Sequence, residues 1–272
     1  MRVVTCPSQP SIYQTPRSTT PMSANYCNDL TSCRHSAWLS FHSIEAAAYP
    51  EPALDRAERL LDEDEHRRAQ RLRPATHRAR WVVAHAIQRV ELAAFLGCHP
   101  DRVRYQHSQA GRPSLFPEPD GHAHADFNIS HSGDVLLMGI AACGCIGVDV
   151  EAWATASDPD REPLWETLSE GEARWVAAQP DPYAAFVRLW TRKEAIVKAV
   201  GSGLPDELAS LNALSAPQSS DARLRLSDGT SLRVIDLAAP PGFHAAAAFT
   251  VPDLQVHVMS IASAADRFSH CQ

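Results

Sequence analysis

No apolar run in this chain approaches the ~20 residues needed to cross a bilayer, so no membrane association is expected. A signal-peptide core is missing too, because Pro7, Pro10, Pro16 and Pro21 interrupt the N-terminus. Positive charge is in deficit. The net charge of −7 argues against a general nucleic-acid binder. There is no P-loop, no dinucleotide-type Gly-rich turn and no nucleophile elbow. Seven cysteines is an odd number without framework spacing, so they read as reduced thiols in a cytoplasmic protein. Cys143-Gly144-Cys145 has the wrong spacing for a zinc ribbon, and no second pair answers it. His122-Ala123-His124 lies in a Pro/Gly-rich stretch and reads as a solvated loop.

What is present suits a globular protein. A chain of 272 residues can bury a substantial core, as one domain or two modest ones. Residues 1–36 are rich in Ser, Thr and Pro and read as a disordered or loosely attached extension. A first strand is expected at Trp38–Ser43, and a charged helical stretch from Glu45 to Arg73, broken at Pro74. A second helix is expected from Thr76 to Leu96, stopped by Gly97. Val103–Tyr105 reads as a strand, followed by a turn-rich connector from Gly111 to Ala125. Phe127–Ser130 and Val135–Ala141 read as a strand pair around a Ser-Gly turn. Ser169-Glu170-Gly171-Glu172 is a capping-box helix start. Asp228-Gly229 is a hairpin signal between Leu224–Leu226 and Ser231–Leu237, and Ala245–Val251 and Val256–Ile261 read as further strands. Helix then strands, roughly twice over, argues α+β. Two similar halves in a pseudo-twofold arrangement are expected, 37–141 and 142–265, with the site at their junction.

The chemistry lies in an acidic strand answered by a lysine–glutamate helix. Ile146–Val150 reads as a strand, and side chains two apart share a face, so Asp149 and Glu151 point the same way. Taken alone they are two acids at a solvated strand end. Asp181-Pro182 starts a helix that Gly201 and Gly203 stop. At ~100° per residue, Lys193 falls near the middle of its apolar arc, with Glu194 and Lys198 one turn apart on the edge. An i,i+4 pair explains Glu194 and Lys198 at about a few tenths of a kcal/mol. It does not explain Lys193, since a lysine in packed surface is costly unless paired. A polar, anion-filled cleft beside the helix would account for all three. Between His66 and Val90 there are seven arginines and no acid, a local positive surface that reads either as a solvated helix face or as an anion site whose guanidinium forks suit phosphate.

Four ordered motifs resemble the 4′-phosphopantetheinyl transferases, most nearly the larger, monomeric type that activates nonribosomal peptide and polyketide synthases. They are Gly111-Arg112-Pro113, Phe127-Asn128-Ile129-Ser130-His131-Ser132, Gly147-Val148-Asp149-Val150-Glu151, and Trp190-x-x-Lys193-Glu194-x-x-x-Lys198. The resemblance spans roughly residues 38–262. It implies transfer of the phosphopantetheine arm of coenzyme A to a serine of an acyl or peptidyl carrier protein, with 3′,5′-ADP leaving. It implies that Asp149, Glu151 and Glu194 hold Mg²⁺, with Mn²⁺ as the alternative ion. Glu194 would also take the serine proton, and Lys198 would neutralise phosphate charge. Ser130, His131, Arg112, Arg68 and Arg73 would lie toward the coenzyme A phosphates. Arg112 stands where the family usually has lysine, Leu72 where an aromatic is common, and the N-terminal extension has no counterpart. Trp190 is expected to pack and position Glu194. A non-catalytic carrier-binding or coenzyme A-binding descendant would have lost a metal acid or Lys198, and neither is lost. A different Mg²⁺-dependent phosphotransferase would need a nucleotide cradle, which is absent.

Overall fold

A computed structural model describes residues 35–108, 111–116, 125–153, 164–201, 208–214, 219–259 and 268. Most of the N-terminal extension, the His122–His124 pair and Gly203 lie outside the described residues. The architecture is α+β.

The first strand, β1 (Ser36–Ser43), leads into α1 (Glu51–Arg59), α2 (Glu63–Arg71) and α3 (Ala75–Leu96). The single helical stretch expected over 45–73 is thus two helices. Asp62 breaks it. Its backbone is extended (φ −82°, ψ 176°) because it caps α2 in a reciprocal box with Glu65. Helix α3 ends at Gly97 in the left-handed region (φ 66°), where a side chain is disfavoured. The strand expected at 103–105 begins later, as β2 (Tyr105–His107), because Pro100 opens a short 3-10 turn first. The connector holds β3 (Pro113–Leu115), which pairs with β2. Strands β4 (Asp126–Ser132) and β5 (Val135–Ala141) form the expected hairpin.

The acidic strand β6 (Ile146–Ala152) opens the second half. Helix α4 (Glu170–Ala177) starts at the Ser169 capping box, and α5 (Pro182–Val200) starts at Asp181. Strands β7 (Asp221–Arg225), β8 (Ser231–Asp236), β9 (Phe243–Phe249) and β10 (Gln255–Met259) follow.

Two four-stranded sheets result, ordered β10-β1-β5-β4 and β6-β9-β8-β7. Strand β10 pairs in parallel with β1, Ser36 opposite Gln255, so it joins the first sheet although it follows the second in sequence. Phe268 also returns to the first half, packing near Tyr49. The sheets face each other across an apolar layer that includes Leu39, Phe41, Leu137, Val148, Val150 and Ala247. Helix α5 covers the opposite face of the second sheet, over Ala246 and Ala248. Small residues make that face flat. A Cβ on Gly147 would stand 2.0 Å from the Ala195 carbonyl oxygen and 2.4 Å from the Ala199 nitrogen, so α5 rests its backbone directly on β6.

Candidate functional site

Gly147, Asp149 and Glu151 alternate along β6 and share the face under α5. Close seating of the helix brings its last turns to the two acids. Asp149, Glu151, Glu194, Lys198, Ser130, His131, Ile129 and Trp190 line one open hollow of about 490 Å³. Six of the residues expected from the sequence are therefore brought together. Arg112 is placed elsewhere: its Nη2 donates to Asp126 Oδ2 (2.5 Å) and to the Ile146 carbonyl (2.8 Å) at the start of β6. Arg68 and Arg73 are exposed and outside the hollow's walls.

Lys198 does not pair with Glu194. Its Nζ donates to Asp149 Oδ1 (2.6 Å), and lies 3.3 Å from both Ser130 Oγ and the Val148 carbonyl. Ser130 Oγ donates to the same Asp149 oxygen at 2.8 Å. Asp149 is 2% exposed, and its Oδ2 is buried without a hydrogen-bond partner. Burial pushes its carboxyl above the ordinary 3.8, against the pull of Lys198 and Ser130. Burial likewise raises Glu194 above 4.5; Lys198 opposes that, and the Asp149 and Glu151 charges add to it. His131 is lowered by desolvation first and by the Lys198 ammonium second.

The anion-filled cleft expected to explain Lys193 is not what surrounds it. Lys193 faces away from the hollow, wholly buried. Its Nζ pairs with Glu172 Oε2 (2.7 Å), itself wholly buried, and donates to the Thr167 and Leu208 carbonyls (2.7 Å each). Glu172 also accepts from the Ser169 and Ala213 backbone nitrogens. A buried pair needs every remaining donor and acceptor satisfied, and this one ties three chain segments to α5. The arginine run is not uniformly a surface either. Arg89 is 1% exposed, held by Glu65 (2.6 Å) and Asp62.

Sequence reasoning missed how β6 is supported from its free edge. Asp126, Asn128, Ser130 and Ser132 alternate along β4 and point at β6. Ile146 N donates to Asp126 Oδ2 (2.8 Å), Val148 N to Asn128 Oδ1 (2.9 Å) and Ala152 N to Ser132 Oγ (3.1 Å). Side chains thus take the place of a neighbouring strand. The signal was available as polar residues at period two from 126 to 132.

As the side chains stand, among the described residues no group of three or more His, Cys, Asp or Glu converges on a point that could hold a metal ion. The cation nearest Asp149 is the Lys198 ammonium.

Two family models match abutting segments. Residues 50–144 match "4′-phosphopantetheinyl transferase, N-terminal", and residues 145–248 match "4′-phosphopantetheinyl transferase superfamily". The chain belongs to that superfamily. Among curated members, 4′-phosphopantetheinyl transferase HetI of Nostoc sp. is 32% identical over 57% of this chain and 65% of its own length. 4′-Phosphopantetheinyl transferase AcpT of Salmonella typhimurium is 36% identical over 46% of this chain and 59% of its own length. L-Aminoadipate-semialdehyde dehydrogenase-phosphopantetheinyl transferase of Rattus norvegicus is 28% identical over 44% and 42%. The chain therefore spans less than two thirds of each of these superfamily relatives. Among the described residues, no helix of this superfamily member is long and apolar enough to cross a membrane.

Proposed function

We propose that this chain transfers the 4′-phosphopantetheine arm of coenzyme A to a serine of an acyl or peptidyl carrier protein, converting apo carrier to holo carrier. The observation that carries this is the shared hollow: Asp149, Glu151, Glu194 and Lys198, from one strand and one helix, with Ser130 and His131 on its rim. In the reaction the carrier serine oxygen bonds to the pantetheine-side phosphorus of the pyrophosphate. The bond from that phosphorus to the bridging oxygen breaks, and 3′,5′-ADP departs with the electron pair.

Glu194 accepts the serine proton, directly or through one water. Lys198 supplies positive charge to the phosphate oxygens, and Asp149 and Ser130 hold its ammonium in place beforehand. Ser130 and His131 border the nucleotide end. Arg68 on α2 and Arg73 in the connection that follows it draw in the phosphates. Arg112 has one nitrogen committed to Asp126 and Ile146 and contributes through its remaining N–H groups.

The unpartnered Asp149 Oδ2 and the all-oxygen donor set of Asp149, Glu151 and Glu194 fit a hard divalent ion, Mg²⁺ or Mn²⁺. When bound, such an ion neutralises charge on the pyrophosphate. The carriers we assign are those of nonribosomal peptide and polyketide synthases, with the chain acting as a cytoplasmic monomer without nucleic-acid or membrane partners. We also propose that the halves are pseudo-twofold related. In support, β1-β5-β4 and β6-β9-β8 repeat one order, in which a strand followed in the chain by a long helix, α3 or α5, pairs with the later of two consecutive strands beyond that helix; β10 stands outside the repeat.

The test is intact mass spectrometry of several apo carriers incubated with the protein, coenzyme A and Mg²⁺. The expected result is a phosphopantetheine-sized gain. No gain on any carrier refutes the proposal.

A further inference from the structure

Serines two apart on β4 meet acids two apart on β6. Ser130 Oγ donates to Asp149 Oδ1 at 2.8 Å, and Ser132 Oγ donates to Glu151 Oε2 at 2.9 Å. Both strands have period two, so the pairs share a register and a spacing. Ser132 is the more constrained serine. It is 7% exposed, and its oxygen already accepts the Ala152 backbone N–H at 3.1 Å. A serine hydroxyl has one proton to give. With the Ala152 N–H approaching a lone pair, that proton goes to Glu151.

The bond is directional in consequence. One hydroxyl couples the backbone of β6 at Ala152 to the carboxylate one residue earlier. A change of Glu151 rotamer therefore gives up this bond and obliges the Ser132 proton to find another acceptor. Asn128 supports the same edge differently. Its Oδ1 takes the Val148 N–H, and no hydrogen bond joins it to a hollow acid among the described residues.

From this we infer that Ser132 is a positioning residue: it fixes the direction of the Glu151 carboxylate on the hollow's wall and so sets how readily that carboxylate joins Asp149 and Glu194 around a divalent ion. This deepens the proposed function and rests on it. Outer partners that orient ligand carboxylates change metal affinity by about 10–100-fold when removed.

The experiment titrates Mn²⁺ into the full chain with coenzyme A and no carrier, following free Mn²⁺ by electron paramagnetic resonance. Thermal unfolding and steady-state transfer are measured alongside. Ser132→Ala is expected to weaken Mn²⁺ by about tenfold or more and to lower kcat, with the KM for coenzyme A changing less than about threefold. Ser132→Thr, which keeps the hydroxyl, restores affinity to within about threefold. Asn128→Ala lowers Tm while Mn²⁺ affinity stays within about threefold of the parent. Should the alanine variant not fold, Ser132→Cys keeps the volume and weakens both hydrogen bonds. Its affinity should fall in the same direction.

Parent-like Mn²⁺ binding by Ser132→Ala, or by Ser132→Cys in its place, overturns the inference alone. So does an equal loss in Asn128→Ala, which assigns the effect to strand support. A parent that binds no Mn²⁺ overturns the metal reading and this inference together.

Discussion

Helices α3 and α5 each lie across a four-stranded sheet, and each aims an acid at its first strand. The two acids are treated in opposite ways. Glu91 on α3 is 1% exposed and meets His42 of β1 (3.4 Å), which also contacts Ser40 at 2.8 Å. Glu194 on α5 is half-buried, has no hydrogen-bond partner among the described residues, and stands near two further carboxylates. The first arrangement is closed and belongs to the scaffold. The second gathers three carboxylates around one ammonium, that of Lys198. Adjacent residues on α5 repeat the contrast, since Lys193 is sealed against Glu172 while Glu194 opens to the hollow.

The sharpest way to break this comparison is to neutralise both acids. Glu194→Gln should reduce carrier loading by about 10²–10⁴-fold, while Tm holds or rises because a crowded charge is gone. Glu91→Gln should lower Tm and leave kcat nearly unchanged. Reversed outcomes in paired kinetics and melting curves would undo the distinction. Next in size, Lys193→Met leaves Glu172 buried and unpaired and should destabilise by about 3–5 kcal/mol in urea unfolding. Adding Glu172→Gln should recover part of that. Parent-like unfolding of the single variant would show that the pair is dispensable.

Gly147→Ala must push α5 away from β6. We expect about 1–3 kcal/mol of destabilisation together with loss of transfer, read by denaturation and mass spectrometry. Stability loss with full activity would mean that the helix seat does not set the site.

A pH series sharpens the contrast further. Asp149 and Glu194 have raised pKa values, so their ionised forms oppose folding, and this opposition fades as pH falls through those values. On the proposed metal reading, Mg²⁺ with coenzyme A favours the ionised forms. The Tm gain from ligand should be full near neutrality and begin to fall on acidification above the ordinary carboxyl range. A gain that stays constant into that range would contradict the assignment. The smallest effect is expected from Arg68→Ala. The KM for coenzyme A should rise by about two- to fivefold with kcat unchanged, and added salt should close the gap.

Elements with local signatures were legible in the sequence. The Asp181-Pro182 start and Gly201 stop of α5, the Ser169 capping box and the β4–β5 hairpin rest on backbone chemistry within a few residues. The convergence of Asp149, Glu151, Glu194 and Lys198 was legible because periodicity put each pair on one face. Partners chosen by packing were not. Lys193 finds Glu172 on another helix, and Lys198 prefers Asp149 on the strand beneath α5 to Glu194 one turn away. Both choices depend on how α5 seats on Gly147, which no local pattern encodes. The resemblance placed Arg112 toward the phosphates, yet its hydrogen-bond acceptors are Asp126 and the Ile146 carbonyl, which the fold alone brings near.

The parallel pairing of β10 with β1 bears on how the molecule is made. A ribosome delivers β1 more than two hundred residues before its partner, since Ser36 waits for Gln255. Until then one edge of β1 is open, with unpaired backbone groups that invite association with other nascent chains. Expression of residues up to 144 alone should therefore yield aggregates, although a family model ends there. Co-expressing residues 145–272 should rescue solubility by returning the missing edge strand in trans.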